Sequence, residues 1–135
     1  MRKLFILAAI FLVCIGLSFA GAFIERITAR SDGDNITIEW KTGEEVNVKL
    51  FEIERSNGST NNFILVGSME PKGSNSFYVY VDKSAYKPTD VIYVYRIKIV
   101  DKDPNVAPSY SSTVSVSHNV SSVKRTWGSI KAMFR

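Results

Sequence analysis

Few groups in this sequence could carry chemistry. Nucleophilic catalysis of the serine type needs a base held rigidly by an acid. The chain has one histidine, His118, set between Ser117 and Asn119 with no acid beside it. Such a histidine at a strand end is expected to be solvent-exposed and inert. Carboxylates occur together at Glu44-Glu45, Glu52/Glu54 and Asp101/Asp103. Glu52 and Glu54 alternate with Phe51 and Ile53, which puts them on the solvated face of a strand, where cross-strand pairing with Lys or Arg is their ordinary role. Asp32-Gly33-Asp34-Asn35 gathers three oxygen-bearing side chains around a glycine. Calcium takes about six to eight oxygens, so a turn is the simpler reading, and Asp101-Lys102-Asp103-Pro104-Asn105 reads the same way. No catalytic residue, metal ligand or cofactor is expected.

The elements around these groups begin with an export signal. Arg2 and Lys3 precede an apolar run from Leu4 to Leu17, and Ser18-Phe19-Ala20 then supplies small residues at the positions a signal peptidase reads. Cleavage is expected after Ala20, leaving Gly21 as the mature start. The run is shorter than the roughly 20 residues of a spanning helix. Cys14, the only cysteine, lies inside it and follows Val13 rather than the small residue that lipidation wants. The mature chain therefore has no thiol, and its fold must rest on an apolar core without disulfides.

Charge divides the rest in two. Residues 21–120 hold 11 Lys/Arg against 13 Asp/Glu, whereas residues 121–135 hold Lys124, Arg125, Lys131 and Arg135 with no acid. A near-neutral body with a basic end is not the distribution of a nucleic-acid binder.

Short alternating runs separated by turn residues fill the body, the pattern of an all-β sandwich. Strands are expected at 24–29, 36–40, 51–55, 63–67, 77–82, 91–100 and 110–117. Ile36, Ile38 and Trp40 share one face of the second; Tyr93, Tyr95, Ile97 and Ile99 share one face of the sixth. In the fifth, Phe77, Val79 and Val81 alternate with Tyr78 and Tyr80, so one of the two sets must be exposed or covered by another element.

Trp40 on the second strand and Tyr93-Val94-Tyr95-Arg96-Ile97-Lys98-Ile99-Val100-Asp101 on the sixth resemble the two signatures of fibronectin type III domains. Phe51 to Ser56, with Phe63, Val66 and Gly67 following, resembles a variant found in exported bacterial proteins, as does Tyr110-Ser111-Ser112 before Val114 and Val116. The resemblance covers residues 22–118. It implies a seven-stranded immunoglobulin-like β-sandwich with Trp40, Tyr93, Tyr95, Phe51, Ile53 and Ile97 in its core. It further implies that the Tyr93 hydroxyl bonds back to the connection before its strand. The Arg-Gly-Asp loop of some animal members is absent, and the fold alone assigns no function.

Two features point to binding. In the implied arrangement the last strand lies at a sheet edge, and its outward positions Ser111, Thr113, Ser115 and Ser117 carry no charge that would repel an added strand. In the tail, Val123, Trp127, Ile130 and Phe134 fall on one stripe of a helix, largely flanked by Lys124, Arg125, Lys131 and Arg135. Gly128 weakens such a helix by ~1 kcal/mol, and the stripe could instead pack back onto the sandwich or stay disordered.

The sequence thus reads as a signal peptide (1–20), a β-sandwich (21–120) and a basic amphipathic tail (121–135). The expected function is that of a secreted or cell-envelope, non-catalytic binding or structural module. Its tail would dock or sort it, and its partner would be an envelope or surface protein or glycan, with membrane-surface contact through the tail and no nucleic acid. The alternative is a carbohydrate-binding accessory domain that stacks sugars on Tyr78, Tyr80, Tyr86 or Tyr110. If the tail is a dock, a chain ending at Val120 should melt like the full one but shift from the envelope to the soluble exported fraction. Fractionation with parallel melting curves checks this.

Overall fold

A computed structural model of the chain describes residues 21–85 and 91–119. Residues 1–20, read as a signal peptide, Tyr86, Pro88 and the tail residues Val123, Lys124, Arg125, Trp127, Ile130, Lys131, Phe134 and Arg135 lie outside these. The described residues form eight strand segments: β1 (Gly21–Ser31), β2 (Ile36–Val46), β3 (Val48–Asn57), β4 (Ile64–Met69), β5 (Phe77–Asp82), β6 (Val91–Asp101), β7 (Ser109–Tyr110) and β8 (Val114–His118). They make two antiparallel sheets, β1-β2-β5 and β4-β3-β6-β7, with β8 also pairing β6.

The count differs from the seven expected because the last strand is interrupted. Ser111 donates its backbone N–H to the Ile97 carbonyl at 2.8 Å, and its side-chain hydroxyl accepts the Ile97 N–H at 2.8 Å. One side chain thus replaces a peptide carbonyl in the ladder. Pairing lapses between Tyr110 and Val114. Ser111 is therefore turned onto β6 rather than outward, while Thr113 and Ser115 are exposed.

Strict alternation builds the core. Ile36, Ile38 and Trp40 of β2, Phe51 and Ile53 of β3, Tyr78 of β5, and Tyr93, Tyr95, Ile97 and Ile99 of β6 are buried between the sheets. At the centre the Trp40 and Tyr78 rings stack with centroids 5.0 Å apart, and Phe51 meets both edge-on at 6.2 and 5.0 Å. Such ring pairs add about 0.5–1.5 kcal/mol each beyond the area they bury. The buried Trp40 Nε1 has no acceptor among the described residues; its place in the core rests on ring packing.

Turns are set by local chemistry. Between β1 and β2 the Asp32 carboxylate accepts the N–H groups of Asp34 and Asn35 at 2.8 and 2.7 Å, and Gly33 takes a φ of 90° that favours glycine. Asp101 and Asp103 accept the N–H groups of Asp103 and Asn105 in the same way.

One close approach fixes the flank where β4 faces β5. The Tyr80 hydroxyl donates to the Val66 carbonyl at 2.7 Å, and a Cβ at Gly67 would lie 2.4 Å from the Tyr80 ring. Only glycine leaves room for that ring.

Trp40→Ala is expected to cost ~3–5 kcal/mol as a large-to-small core change. Gly67→Ala should cost about 1–3 kcal/mol by overpacking, and the loss should shrink in a chain that also carries Tyr80→Ala, because the two sites are in contact. Urea unfolding of the single and double variants checks both.

Candidate functional site

Two polar clusters, one buried and one half-buried, brace the ends of the core. At one end the Asp82 carboxylate, 1% exposed, receives four hydrogen bonds. Arg55 Nη1 and the Tyr95 hydroxyl donate to Oδ2 at 2.6 and 2.8 Å; the Ser84 N–H and hydroxyl donate to Oδ1 at 2.9 and 2.6 Å. Burial alone would raise the Asp82 carboxyl, but the bonds from Ser84, Tyr95 and Arg55 outweigh it and hold it below its ordinary 3.8. Burial, then the bond to Asp82, pushes the Tyr95 phenol well up. Arg55 also lies over the Tyr93 ring at 5.0 Å, and the Tyr93 hydroxyl donates to the Ala85 carbonyl at 3.2 Å. With its acceptor positions filled, Asp82 is placed to hold structure rather than to take a proton.

At the other end Tyr78 and Thr42 donate to Glu45 Oε1 at 2.6 and 2.7 Å, and the Gly73 N–H donates to Oε2 at 3.1 Å. Burial, with the Glu45 bond, pushes the Tyr78 phenol up to about 12.

His118 is not the exposed residue its sequence position suggested. It is 0% exposed, and its Nδ1 lies 2.7 Å from Ser31 Oγ, tying the end of one sheet to the end of the other. Its Nε2 is buried with no partner among the described residues. The cause is strand parity: Val114, Val116 and His118 share the inward face of β8.

Both outer faces are populated, but differently. On the five-stranded sheet, Arg96 is clasped between the Phe63 and Tyr110 rings at 4.0 and 4.1 Å and pairs with Glu54 at 2.7 Å. Lys98 pairs with Glu52 at 3.3 Å beside it. That face satisfies itself. A nearby cleft of about 420 Å³ is lined by Arg55, Ser56, Asn57, Ser59, Asn62 and Ile64, and its cation is already bound to Asp82.

The three-stranded sheet also carries ion pairs, Arg30 with Glu39 at 3.3 Å and Lys41 with Glu25 at 3.1 Å, but its β5 column is apolar. Register places Arg26, Lys41 and Phe77 in one row across its outer face, Thr28, Glu39 and Val79 in the next, and Arg30, Thr37 and Val81 in the third. Phe77 is 59% exposed, Val79 53% and Val81 41%. These three stand on β5, which has no second strand neighbour among the described residues. An unpaired edge bearing an apolar stripe is the arrangement proteins ordinarily avoid or use.

The sequence-derived edge site at Ser111, Thr113 and Ser115 is interrupted by the Ser111 bond to Ile97. Of the four tyrosines read as platforms, Tyr86 lies outside the described residues and Tyr110 is 47% exposed. Tyr78 is fully buried, Tyr80 is half-buried against Val66, and Tyr110 packs on Arg96. The β5 stripe is the feature that sequence reading left undecided, since both alternating sets there are apolar or aromatic. No family model matches this chain, and no curated protein or solved structure matches it. Among the described residues no group of three His, Cys, Asp or Glu side chains is placed to hold a metal ion.

The sign of the Asp82 shift sets a pH dependence. A carboxyl lowered by folding stabilises the protein fully above its unfolded value of 3.8, and that contribution is lost as pH falls through the lower folded-state value. Stability should therefore fall below about pH 4. Asp82→Asn should flatten that fall and cost about 3–5 kcal/mol at neutral pH by stranding the Arg55 charge. Urea unfolding across pH 2.5–7 (about this range) checks both.

Proposed function

We propose that this chain is an exported, non-catalytic binding or structural module built on an immunoglobulin-like sandwich of the fibronectin type III kind. The strand order β1-β2-β5 against β4-β3-β6-β7, the central Trp40 and the Tyr93 bond to Ala85 support that fold reading. The apolar run followed by Ser18-Phe19-Ala20 supports export. Among the described residues the buried acid Asp82 and the half-buried Glu45 serve as braces of the core, and Glu52 and Glu54 are held in ion pairs, which favours recognition over catalysis.

The observation that carries the binding role is the exposed row Phe77, Val79 and Val81 on an edge strand without a second neighbour among the described residues. A soluble domain that gained nothing from this stripe would be expected to break it with charge, as the opposite outer face does with Arg96, Glu54, Lys98 and Glu52. The basic tail acts in this reading as a second, separate contact with the envelope or its surface.

Cells making the full chain should hold a mature form beginning at Gly21 outside the cytoplasm, retained in the envelope. The double variant Phe77→Lys/Val79→Lys should melt as the parent does, since exposed substitutions usually stay within about 0.5 kcal/mol, yet leave the envelope for the soluble exported fraction. N-terminal sequencing, fractionation and melting curves read this out. An uncleaved cytoplasmic chain overturns export, and a double variant fractionating like its parent overturns the β5 site.

A further inference from the structure

The backbone of β5 narrows what can bind there. Thr42 donates its N–H to the Ser76 carbonyl at 3.0 Å, which makes that pair a hydrogen-bonded one. Antiparallel ladders alternate, so Trp40↔Tyr78, Ile38↔Tyr80 and Ile36↔Asp82 are bonded too. The far hairpin agrees: Asp32 donates to Asn35 at 3.2 Å, which puts Thr37, Glu39 and Lys41 in bonded pairs with β1 and leaves them unbonded toward β5. The N–H and C=O groups of Phe77, Val79 and Val81 therefore point away from β2, to the open side. The Phe77 carbonyl is met there by Lys72 Nζ at 2.9 Å. Among the described residues, Val79 and Val81 present apolar side chains together with peptide groups that have no backbone partner.

Charge selects among the strands that could fill this edge. Lys72 stands over one end of the open stretch and Lys83 follows Asp82 at the other, exposed. A second copy paired antiparallel about Tyr80 would set Val79 against Val81, which suits both. It would also bring Lys83 of each copy opposite Phe77 of the other, beside Lys72, and like charges so placed destabilise a pair. The chain's own segment after residue 120 has four bases, Lys124, Arg125, Lys131 and Arg135, and no acid, so it offers these two lysines no opposite charge. Neither occupant fits as well as a strand carrying acids.

We propose that the open edge of β5 takes up an extended strand of a partner protein by antiparallel addition to the sheet. That strand carries apolar side chains opposite Val79 and Val81 and a carboxylate at each end, one toward Lys83 and one toward Lys72. Main-chain bonds to Val79 and Val81 hold it, the apolar pairs set its register, and the carboxylates set its identity. This deepens the binding-module reading and rests on it.

The test is an amide titration by NMR of the 15N-labelled processed protein. The probe is the capped peptide Asp-Thr-Val-Thr-Val-Thr-Asp, with the same peptide ending in lysines as a control. A third peptide is N-methylated at both valines. The expected result is saturable shifts at the Val79 and Val81 amides, which also become protected from solvent exchange. The lysine-ended and N-methylated peptides should bind at least about tenfold more weakly, the equivalent of 1.4 kcal/mol. Untouched Val79 and Val81 amides overturn strand addition. Equal binding of the lysine-ended peptide overturns the acidic partner. Concentration-dependent dimerisation without peptide, read at the same amides, assigns the edge to a second copy and overturns the proposal. If retention in the envelope still depends on Phe77 and Val79 while the peptide leaves their amides unmoved, the binding module stands and strand addition alone falls.

Discussion

The Asp82 carboxylate is the constraint around which the two sheets are assembled. It belongs to β5 in the three-stranded sheet, while Arg55 and Tyr95 belong to β3 and β6 in the five-stranded one. A buried ion pair is weak evidence for net stability, since removing two charges from water is expensive. Its consequence here is alignment. The pair can form only when the sheets pack in one register, and any slip leaves a charge unpaired between them. The Trp40, Tyr78 and Phe51 rings supply the driving force, and Asp82 selects the arrangement they adopt.

A sandwich has sheet edges to dispose of, and this one treats them unequally. The β1 and β8 flank is tied by Ser31 and His118. On the opposite flank, Tyr80 reaches across from the core and binds the Val66 carbonyl of β4. The last strand is broken where the Ser111 hydroxyl takes the place of a peptide group. The edge of β5 receives none of these treatments apart from one lysine at its end. What sets the β5 edge apart among the described residues is that three consecutive outward positions, Phe77, Val79 and Val81, are all apolar and exposed.

Much of this was legible in the residues. Alternation placed Ile36, Ile38, Trp40, Phe51 and Ile53 inward because each faces a polar neighbour on the other side of its strand. The acids Glu52 and Glu54 were readable as cross-strand partners, and they meet Lys98 and Arg96. Legibility failed where alternation was ambiguous or broken. Residues 77–81 are apolar or aromatic at every position, so parity could not choose a face; Tyr78 and Tyr80 go inward because their hydroxyls find Glu45 and Val66 there. His118 was misjudged by its polar neighbours although its parity with Val114 and Val116 pointed inside. Ser111 deceived for the opposite reason, since a hydroxyl can imitate a peptide carbonyl and no spacing rule announces it. Asp82 looked like a strand end, because the Arg55 that neutralises it lies 27 residues earlier in the chain.

The contact between Ser31 and His118 spans 87 residues. The first strand cannot be locked against its final neighbour until nearly the whole domain has been synthesised. Folds dominated by such distant pairings close slowly, because the entropy of the long loop is lost before the contact is made. A nascent chain of this kind stays open through most of its translation. Were the chain exported as proposed, it would thread a translocation pore in extended form, and such a topology would keep it pliable until it had passed through.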